Sequence, residues 1–541
     1  MEGVNMVFKT SLLFKDLNKA IDQIIARIDP ARIKKERWFR HKAEQIVRID
    51  LVDYGVLRTE QHQQVIAVIL LFYLQDWAAQ AKQEYYYVPL LISRKKLVGN
   101  CWLVIEQKDY RAYVYDGVHA REYYLALEQQ IIRGKDKRLK KGGVIRAELL
   151  KEPEISTTSS LTDLSSNSLT LLETKQIVKT YRRLFRGTNP DLEIALSLMD
   201  ATNFRNFPLI NGYIIYQAPG GEEYCLALLE DYAENQGNLW EYTQDFLKEL
   251  LAFYRSLELP PEGSGASEHP VPAIKEYIDQ YCRQFYRLGE VIAEMHLALA
   301  RIERESFPPV PVCTDWTEEW HRQVRGNARE LFDYLRDFSP AGENEHLVER
   351  LLQMEGEVYR QIEKIFQFQP GLGLRIRVHG DLHLEQLLIC DHDFLVLDFE
   401  GEPLRSMSYR RVKQPPLKDI AGMIRSFNYA GYSAVFTSEQ VKPAGEILTV
   451  LETWEEETVA NFLAGYTRLI RAEMSQLLPE QGYFKQVLAL FTLEKAIYEG
   501  IYELNNRPAW LAIPLKGILK CIDHLSEHQL PLSSHLSEQE E

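Results

Sequence analysis

Between Arg377 and Pro403 the chain reads RVHGDLHLEQLLICDHDFLVLDFEGEP, and this stretch constrains everything around it. His379-Gly380-Asp381 is followed five residues later by the amide of Gln386, then by an apolar run ending in Asp398-Phe399-Glu400. An acid, a nearby amide and an Asp at a strand end are the wiring of phosphoryl transfer. The first acid takes the proton of an attacking hydroxyl, while the amide oxygen and the second Asp hold the magnesium that neutralises a triphosphate. Hard oxygen ligands suit Mg²⁺, which keeps several waters and needs only one or two protein carboxylates. Leu387-Leu388-Ile389 and Phe394 to Leu397 are expected as paired strands around the polar turn Cys390 to Asp393, delivering Asp398 into a cleft. An HGD triplet alone means little, so the motif carries weight only if the other parts of such a site stand upstream.

They do, in the expected order. Gln176 to Tyr181 (QIVKTY) reads as a strand carrying Lys179, a cation for the phosphates. Asn189-Pro190-Asp191 then opens a helical pattern, with Asn189 as N-cap, Pro190 in the first turn and Glu193 just inside. Lys179 and Glu193 therefore fit a strand-lysine and helix-glutamate pair. Ser166-Asn167-Ser168 precede the lysine strand; by composition they read as a linker, and by position as a turn whose N–H groups and hydroxyls cradle phosphate oxygens. Cys225 to Leu229 is a buried strand running into Glu230-Asp231-Tyr232, a natural hinge for an adenine, with Glu230 and Tyr232 at the nucleotide. ATP and Mg²⁺ are the implied cofactors.

Several long strings bear a family resemblance. IVKTYRRLFRGTNPDLEI, HGDLHLEQ with DFEGEP, KQPPLKDIAGMIRSFNYA and EKAIYEGIYELNNRPAWLAIPLKGIL together resemble bacterial maltokinases, and Arg37-Trp38-Phe39 with Lys42 is similar to the start of that family's N-terminal domain. The resemblance implies ATP-dependent phosphorylation of maltose at its anomeric hydroxyl, giving maltose 1-phosphate for α-glucan and glycogen synthesis from trehalose. It also implies association with trehalose- and maltose-converting enzymes. The implied fold is α+β: a bilobal protein-kinase-like, aminoglycoside-phosphotransferase-like body, with an N-terminal α+β cap and a mostly helical C-lobe. Carried over by position, Asp381 is the base, Gln386 and Asp398 are the magnesium ligands, Lys179 and Glu193 are the phosphate-positioning pair, and Ser166, Asn167 and Ser168 form the phosphate loop. Glu385 stands where a glycine is usual. The catalytic strip does not encode the acceptor, so a kinase of another sugar such as glucosamine fits the same residues. A non-catalytic nucleotide- or glucan-binding regulator is disfavoured because Lys179, Asp381 and Asp398 are all present.

Composition sets limits. With 541 residues the chain holds more than one domain, read as a cap over 1–148, an N-lobe over 149–236 and a C-lobe over 237–541. A net charge of −15 opposes binding to nucleic acid or an anionic membrane. The six cysteines show no CxxC spacing, which suits reduced thiols in a cytoplasmic protein, and the longest apolar run, Val65 to Leu74, is too short to span a bilayer. Residues 12–28 read as an amphipathic helix, Tyr85 to Ile92 and Cys101 to Ile105 as strands, and His296 as a satisfied structural histidine.

At the acceptor end, Glu494, Tyr498 and Tyr502 share one helix face, as do Lys495 and Glu499. Without the resemblance this face reads as core packing with i,i+4 ion pairs. With it, Tyr502, Glu503, Asn506 and Arg507, around the turn Asn505 to Trp510, are expected to face a disaccharide.

Overall fold

The alternation of Val65-Ile66-Ala67-Val68-Ile69-Leu70 sends apolar side chains to both faces of one strand, Gln63–Gln75, and this makes it the centre of an eight-stranded sheet. Ile66, Val68, Leu70 and Phe72 pack with Ile21, Ile24, Trp38 and Phe39. Val65, Ala67 and Ile69 pack on the other face with Tyr115, Tyr123, Tyr124 and Leu127. The computed structural model describes residues 6–7, 17–39, 41–42, 44–60, 62–75, 81–107, 110–151, 160–161, 168–172, 176–257, 272–338, 343–368, 371–391, 393–402, 405–436 and 445–527. These divide into two units, residues 1–195 with 208–233 and residues 196–207 with 234–541.

The first unit holds two sheets. In the eight-stranded one the order runs Met6–Val7, Cys101–Gln107, Tyr110–Asp116, Leu90–Ser93, Gln63–Gln75, Ala81–Tyr87, Arg183–Leu184, with Gln45–Thr59 paired on Gln63–Gln75. The single strand expected from Tyr85 to Ile92 is two strands, Ala81–Tyr87 and Leu90–Ser93, because Pro89 between them has no N–H to give the ladder. The amphipathic helix expected over 12–28 is seen over Leu17–Ile25, and residues 12–16 lie outside the described residues.

The second sheet has seven antiparallel strands, ordered Ser160–Leu161, Ser168–Leu172, Gln176–Thr180, Glu223–Asp231, Ile210–Gln217, Val144–Leu149, Lys137–Arg138. The Val144–Leu149 strand pairs with Ile210–Gln217, so a division at 148/149 falls inside a strand of this sheet.

The second unit is mainly helical. Helices Gln284–Arg301 and Gly445–Met474 touch backbone to backbone: a Cβ on Gly289 would stand 2.1 Å from the Phe462 carbonyl oxygen, and one on Gly465 2.0 Å from that of Tyr286. Glycine on both helices is what lets them meet. The hairpin Leu387–Cys390 and Asp393–Val396 forms with the expected register, Leu387 opposite Val396 and Cys390 opposite Asp393. All six cysteines are free, and no helix among the described residues is long and apolar enough to cross a membrane.

Candidate active site

Each unit carries part of the motif set, and each part is built by its own local chemistry. In the first unit Asn189 does cap its helix: its side-chain oxygen accepts the Asp191 N–H at 2.8 Å, ahead of Pro190 at the first helical position. That cap sets Asp191 against the lysine strand. The Lys179 Nζ donates to Asp191 at 2.6 Å, and the Tyr181 hydroxyl donates to the same carboxylate at 2.7 Å. Lys179 is 2% exposed, so it is a buried cation held by a buried acid. Sequence spacing points to Glu193; Asp191, two residues earlier, also meets the amine, at 2.6 Å, and Glu193 is half-buried one turn into the helix. Ser168 opens its strand opposite Thr180, whereas Ser166 and Asn167 lie outside the described residues. Glu230 sits near the end of its strand, opposite Ile177, and Tyr232 follows the last strand residue.

In the second unit the loop around Asp381 is fastened at several points. The His379 and Gly380 N–H groups donate to the two oxygens of Asp419, each at 2.8 Å. The His379 Nε2 donates to the Leu397 carbonyl at 2.6 Å. A carbonyl only accepts, so the proton is on Nε2 and Nδ1 is left to accept the Asp381 N–H at 3.3 Å. Behind Asp419, His296 offers Nε2 at 3.0 Å and is itself bonded to the Tyr466 hydroxyl at 2.8 Å. Burial alone would raise the Asp419 carboxyl; the His296 hydrogen bond, the electrostatic influence of the His296 and His379 rings and the Gly380 N–H outweigh it, and the group stays below its ordinary range. His296 is thus buried with both ring nitrogens engaged, as expected of a satisfied histidine, and it backs the acid that clamps the Asp381 loop.

Gln386 and Asp398 are brought together by backbone, since the Leu397 N–H donates to the Gln386 carbonyl at 2.9 Å. Asp398 has φ +58°, a conformation few non-glycine residues adopt, and the Glu400 N–H closes on its carbonyl at 2.7 Å. Carboxylate oxygens of Asp398 and Glu400 lie within 4.8 Å of one another. Two carboxylates and a neighbouring amide make an all-oxygen donor set of the kind Mg²⁺ prefers, so the residues fit the ion. Sequence reading had not assigned Glu400 a role.

Beside Asp381 lies a narrow pocket whose floor comes from the helices Leu417–Phe436 and Phe484–Asn506. Lys495 bridges Asp381 at 3.4 Å and Glu402 at 3.0 Å, and Arg405 pairs with Glu402 at 3.1 Å. Lys418 pairs with Glu494 at 3.2 Å and the Tyr409 hydroxyl at 3.0 Å, while the Trp320 indole N–H holds Glu494 at 2.8 Å. Burial would raise the Glu402 carboxyl, but Lys495, Lys418 and Arg405 bring it down to about 2. The same anions push Lys495 and Lys418 upward against the effect of burial. Burial lowers the nearby His383 imidazole.

The four residues expected at the acceptor sit at the C-terminal end of the helix Phe484–Asn506 and just past it. Glu503 is buried and ion-pairs with Arg507 at 2.7 Å, also receiving the Tyr429 hydroxyl at 3.2 Å. Asn506 donates back to the Tyr502 carbonyl at 2.8 Å, and Tyr502 is 37% exposed. None of them lines the pocket beside Asp381, which takes Glu494, Lys495 and Tyr498 from the same helix. At 1.5 Å per residue, Tyr502 is about 10 Å beyond Lys495 along the axis. The i,i+4 stripe Glu494, Tyr498 and Tyr502 places its first two members at this pocket, and the Pro415-Pro416-Leu417-Lys418-Asp419 helix start places Lys418 and Asp419 together.

No family model matches the chain. Among curated proteins it is similar to a glucosamine kinase of Streptacidiphilus jiangxiensis, 27% identical over 237 residues, which are 44% of this chain and 49% of that protein. It is also similar to a glucosamine kinase of Mycolicibacterium smegmatis, 20% identical over 358 residues, 66% of this chain and 78% of that one. The chain therefore spans about half the length of the first relative. Among solved structures, a glucosamine kinase (crystal form B) superposes with a TM-score of 0.59 at 19% identity, covering 94% of this chain and 100% of that one. A glucosamine kinase in complex with glucosamine, ADP and inorganic phosphate gives 0.58 at 18%, covering 92% and 98%. The fold is shared with these kinases across nearly the whole chain, in agreement with the α+β kinase-like architecture that the resemblance implies. Both relatives are glucosamine kinases, not maltokinases.

Proposed function

We propose that the chain is an ATP-dependent kinase that phosphorylates a hydroxyl group of a sugar. The observation that carries this reading is the second unit's loop geometry, in which Asp381 opens onto a pocket lined by hydrogen-bonding side chains while Asp398, Glu400 and Gln386 gather at the neighbouring turn. Mg²⁺, when bound by those oxygens, neutralises the phosphates. Lys179, held by Asp191, aligns the transferred group, and Glu230 and Tyr232 serve the adenine. Ser168, with Ser166 and Asn167 before it, serves the phosphates. Asp381 orients the attacking sugar hydroxyl and accepts its proton, with Asp419 and His379 fixing the backbone on either side of it. In this reading 1–148, 149–236 and 237–541 act as cap, N-lobe and C-lobe.

Glucosamine is the first acceptor to test, because the named relatives and the superposed structures are glucosamine kinases. Maltose is the second, on the long motifs around Asp381, Asp398 and Lys495; a cytoplasmic place beside maltose- and trehalose-converting enzymes follows only if maltose is the acceptor. The test is ADP release from ATP and Mg²⁺ with glucosamine, maltose, glucose, trehalose and no sugar, followed by NMR of the product. Sugar-dependent turnover supports the kinase and identifies its acceptor. ATP binding with no turnover on any sugar would refute it in favour of a nucleotide-binding regulator.

A further inference from the structure

Beyond Thr180 the chain passes from the seven-stranded sheet to the eight-stranded one. Lys179 pairs with Leu228 in the seven-stranded sheet, yet Arg183 pairs with Tyr86 in the eight-stranded one. Between these two positions Thr180 and Arg182 reach Tyr123 and Asp116, both outside the seven-stranded sheet. The Thr180 hydroxyl meets the Tyr123 hydroxyl at 3.3 Å. Arg182 lays both terminal nitrogens on Asp116, at 2.9 and 2.8 Å, with its guanidinium carbon 4.4 Å from the centre of the Trp38 ring. Arg182 is 0% exposed and Asp116 3%. Asp116 is oriented in turn by the Trp38 indole N–H at 3.1 Å and the Val118 N–H at 3.3 Å. The Arg182 carbonyl accepts the Tyr87 N–H at 2.7 Å, and Arg183 is bonded through two nitrogens to Glu84.

A fully buried ion pair adds little net stability compared with apolar residues of the same volume. What a two-pronged guanidinium–carboxylate contact does provide is direction, since it fixes both a distance and a plane. Here that plane is fixed three residues from a lysine whose amine must be held at one place while its charge is used. We infer that the Arg182–Asp116 pair positions Lys179, so that the eight-stranded sheet is a working part of the nucleotide site; this rests on the reading that Lys179 meets the phosphates of ATP. Asp116 and Arg182 touch no reacting atom. They anchor the far end of a short segment whose near end is the lysine strand, and Asp191 anchors the amine itself. Loss of the anchor lets the strand end shift and moves the amine away from its charged target, while leaving the adenine hinge at Glu230 to Tyr232 on its own strand.

The test separates phosphate from adenine. ATP and adenosine, each with Mg²⁺, are titrated calorimetrically into the full chain and into Asp116→Asn. The expected result is about a tenfold or greater loss of ATP affinity, the size of one charge-assisted hydrogen bond. Adenosine affinity should stay within about twofold, as for independent sites. In turnover the KM for ATP should rise while that for the sugar does not. A purely structural pair would lower the melting temperature and leave the ratio of the two affinities unchanged, and that outcome overturns the inference. If Asp116→Asn fails to fold, Arg182→Lys keeps the charge but loses the fork, and the same selective loss is required of it. Failure of the wild-type chain to bind ATP would instead refute the kinase reading itself, and this inference with it.

Discussion

Replacing Glu402 by Gln removes the anion shared by Lys495 and Arg405, and the structure sets the size of the effect. Glu402 is 4% exposed, contacts Lys495 at 3.0 Å and Arg405 at 3.1 Å, and has its carboxyl brought from 4.5 to about 2 against the opposing effect of burial. Each unit of such a displacement corresponds to about 1.4 kcal/mol, so the ionised form contributes on the order of 3 kcal/mol at neutral pH. The sign follows from the direction. A carboxyl depressed by folding stabilises above its unfolded value of 4.5, and that contribution is lost as the pH falls through the folded value near 2. By the same linkage about 2 kcal/mol should remain at pH 3.5. Gln preserves shape and some hydrogen bonding but leaves Lys495 with Asp381 as its acid, which is close to the cost of breaking a buried pair, about 3–5 kcal/mol. Urea titrations of both proteins by tryptophan fluorescence should therefore differ by about 3 kcal/mol at pH 7, narrowing by about a third at pH 3.5. A difference below about 1 kcal/mol at pH 7, or one that stays constant with pH, would show that the pocket's charges are screened as surface pairs are.

Asp381→Asn should lower kcat by about 10²- to 10⁴-fold with ATP affinity unchanged, read by turnover and by calorimetry. Asp419→Asn puts a donor where His379 and Gly380 both need an acceptor. It should cost about 1–3 kcal/mol in urea and lower kcat more than it raises KM, and equal loss in both would argue against a loop clamp. Asp398→Asn should raise the Mg²⁺ concentration for half-maximal turnover by about tenfold or more, and Glu400→Gln should do so less strongly. Lys179→Ala should raise the KM for ATP, and unchanged kinetics would remove the lysine from the phosphate site.

The chain's pattern determined more of the catalytic strip than of the pocket. The hairpin 387–396 and the Asn189 cap are local facts, fixed by turn residues and a capping side chain, and they are where the residues said they would be. That Asp191 meets Lys179 depended on where a helix start meets a strand, since the Asn189 cap brings that carboxylate within 2.6 Å of the amine. The pocket beside Asp381 draws on segments around residues 402, 418 and 495, whose charges are balanced only in three dimensions. Sequence spacing finds residues that share a helix face, but it cannot say which turn of that face meets another helix; the tertiary structure sets Lys495 and Tyr498 at the pocket beside Asp381. Likewise, the text after Lys179 shows a basic run, and only the tertiary structure turns Arg182 inward onto Asp116. Chemistry carried by neighbours in the chain is legible in order and spacing. Chemistry that depends on which distant charge neutralises which is decided by burial, because a buried ion must find its partner wherever the fold places one.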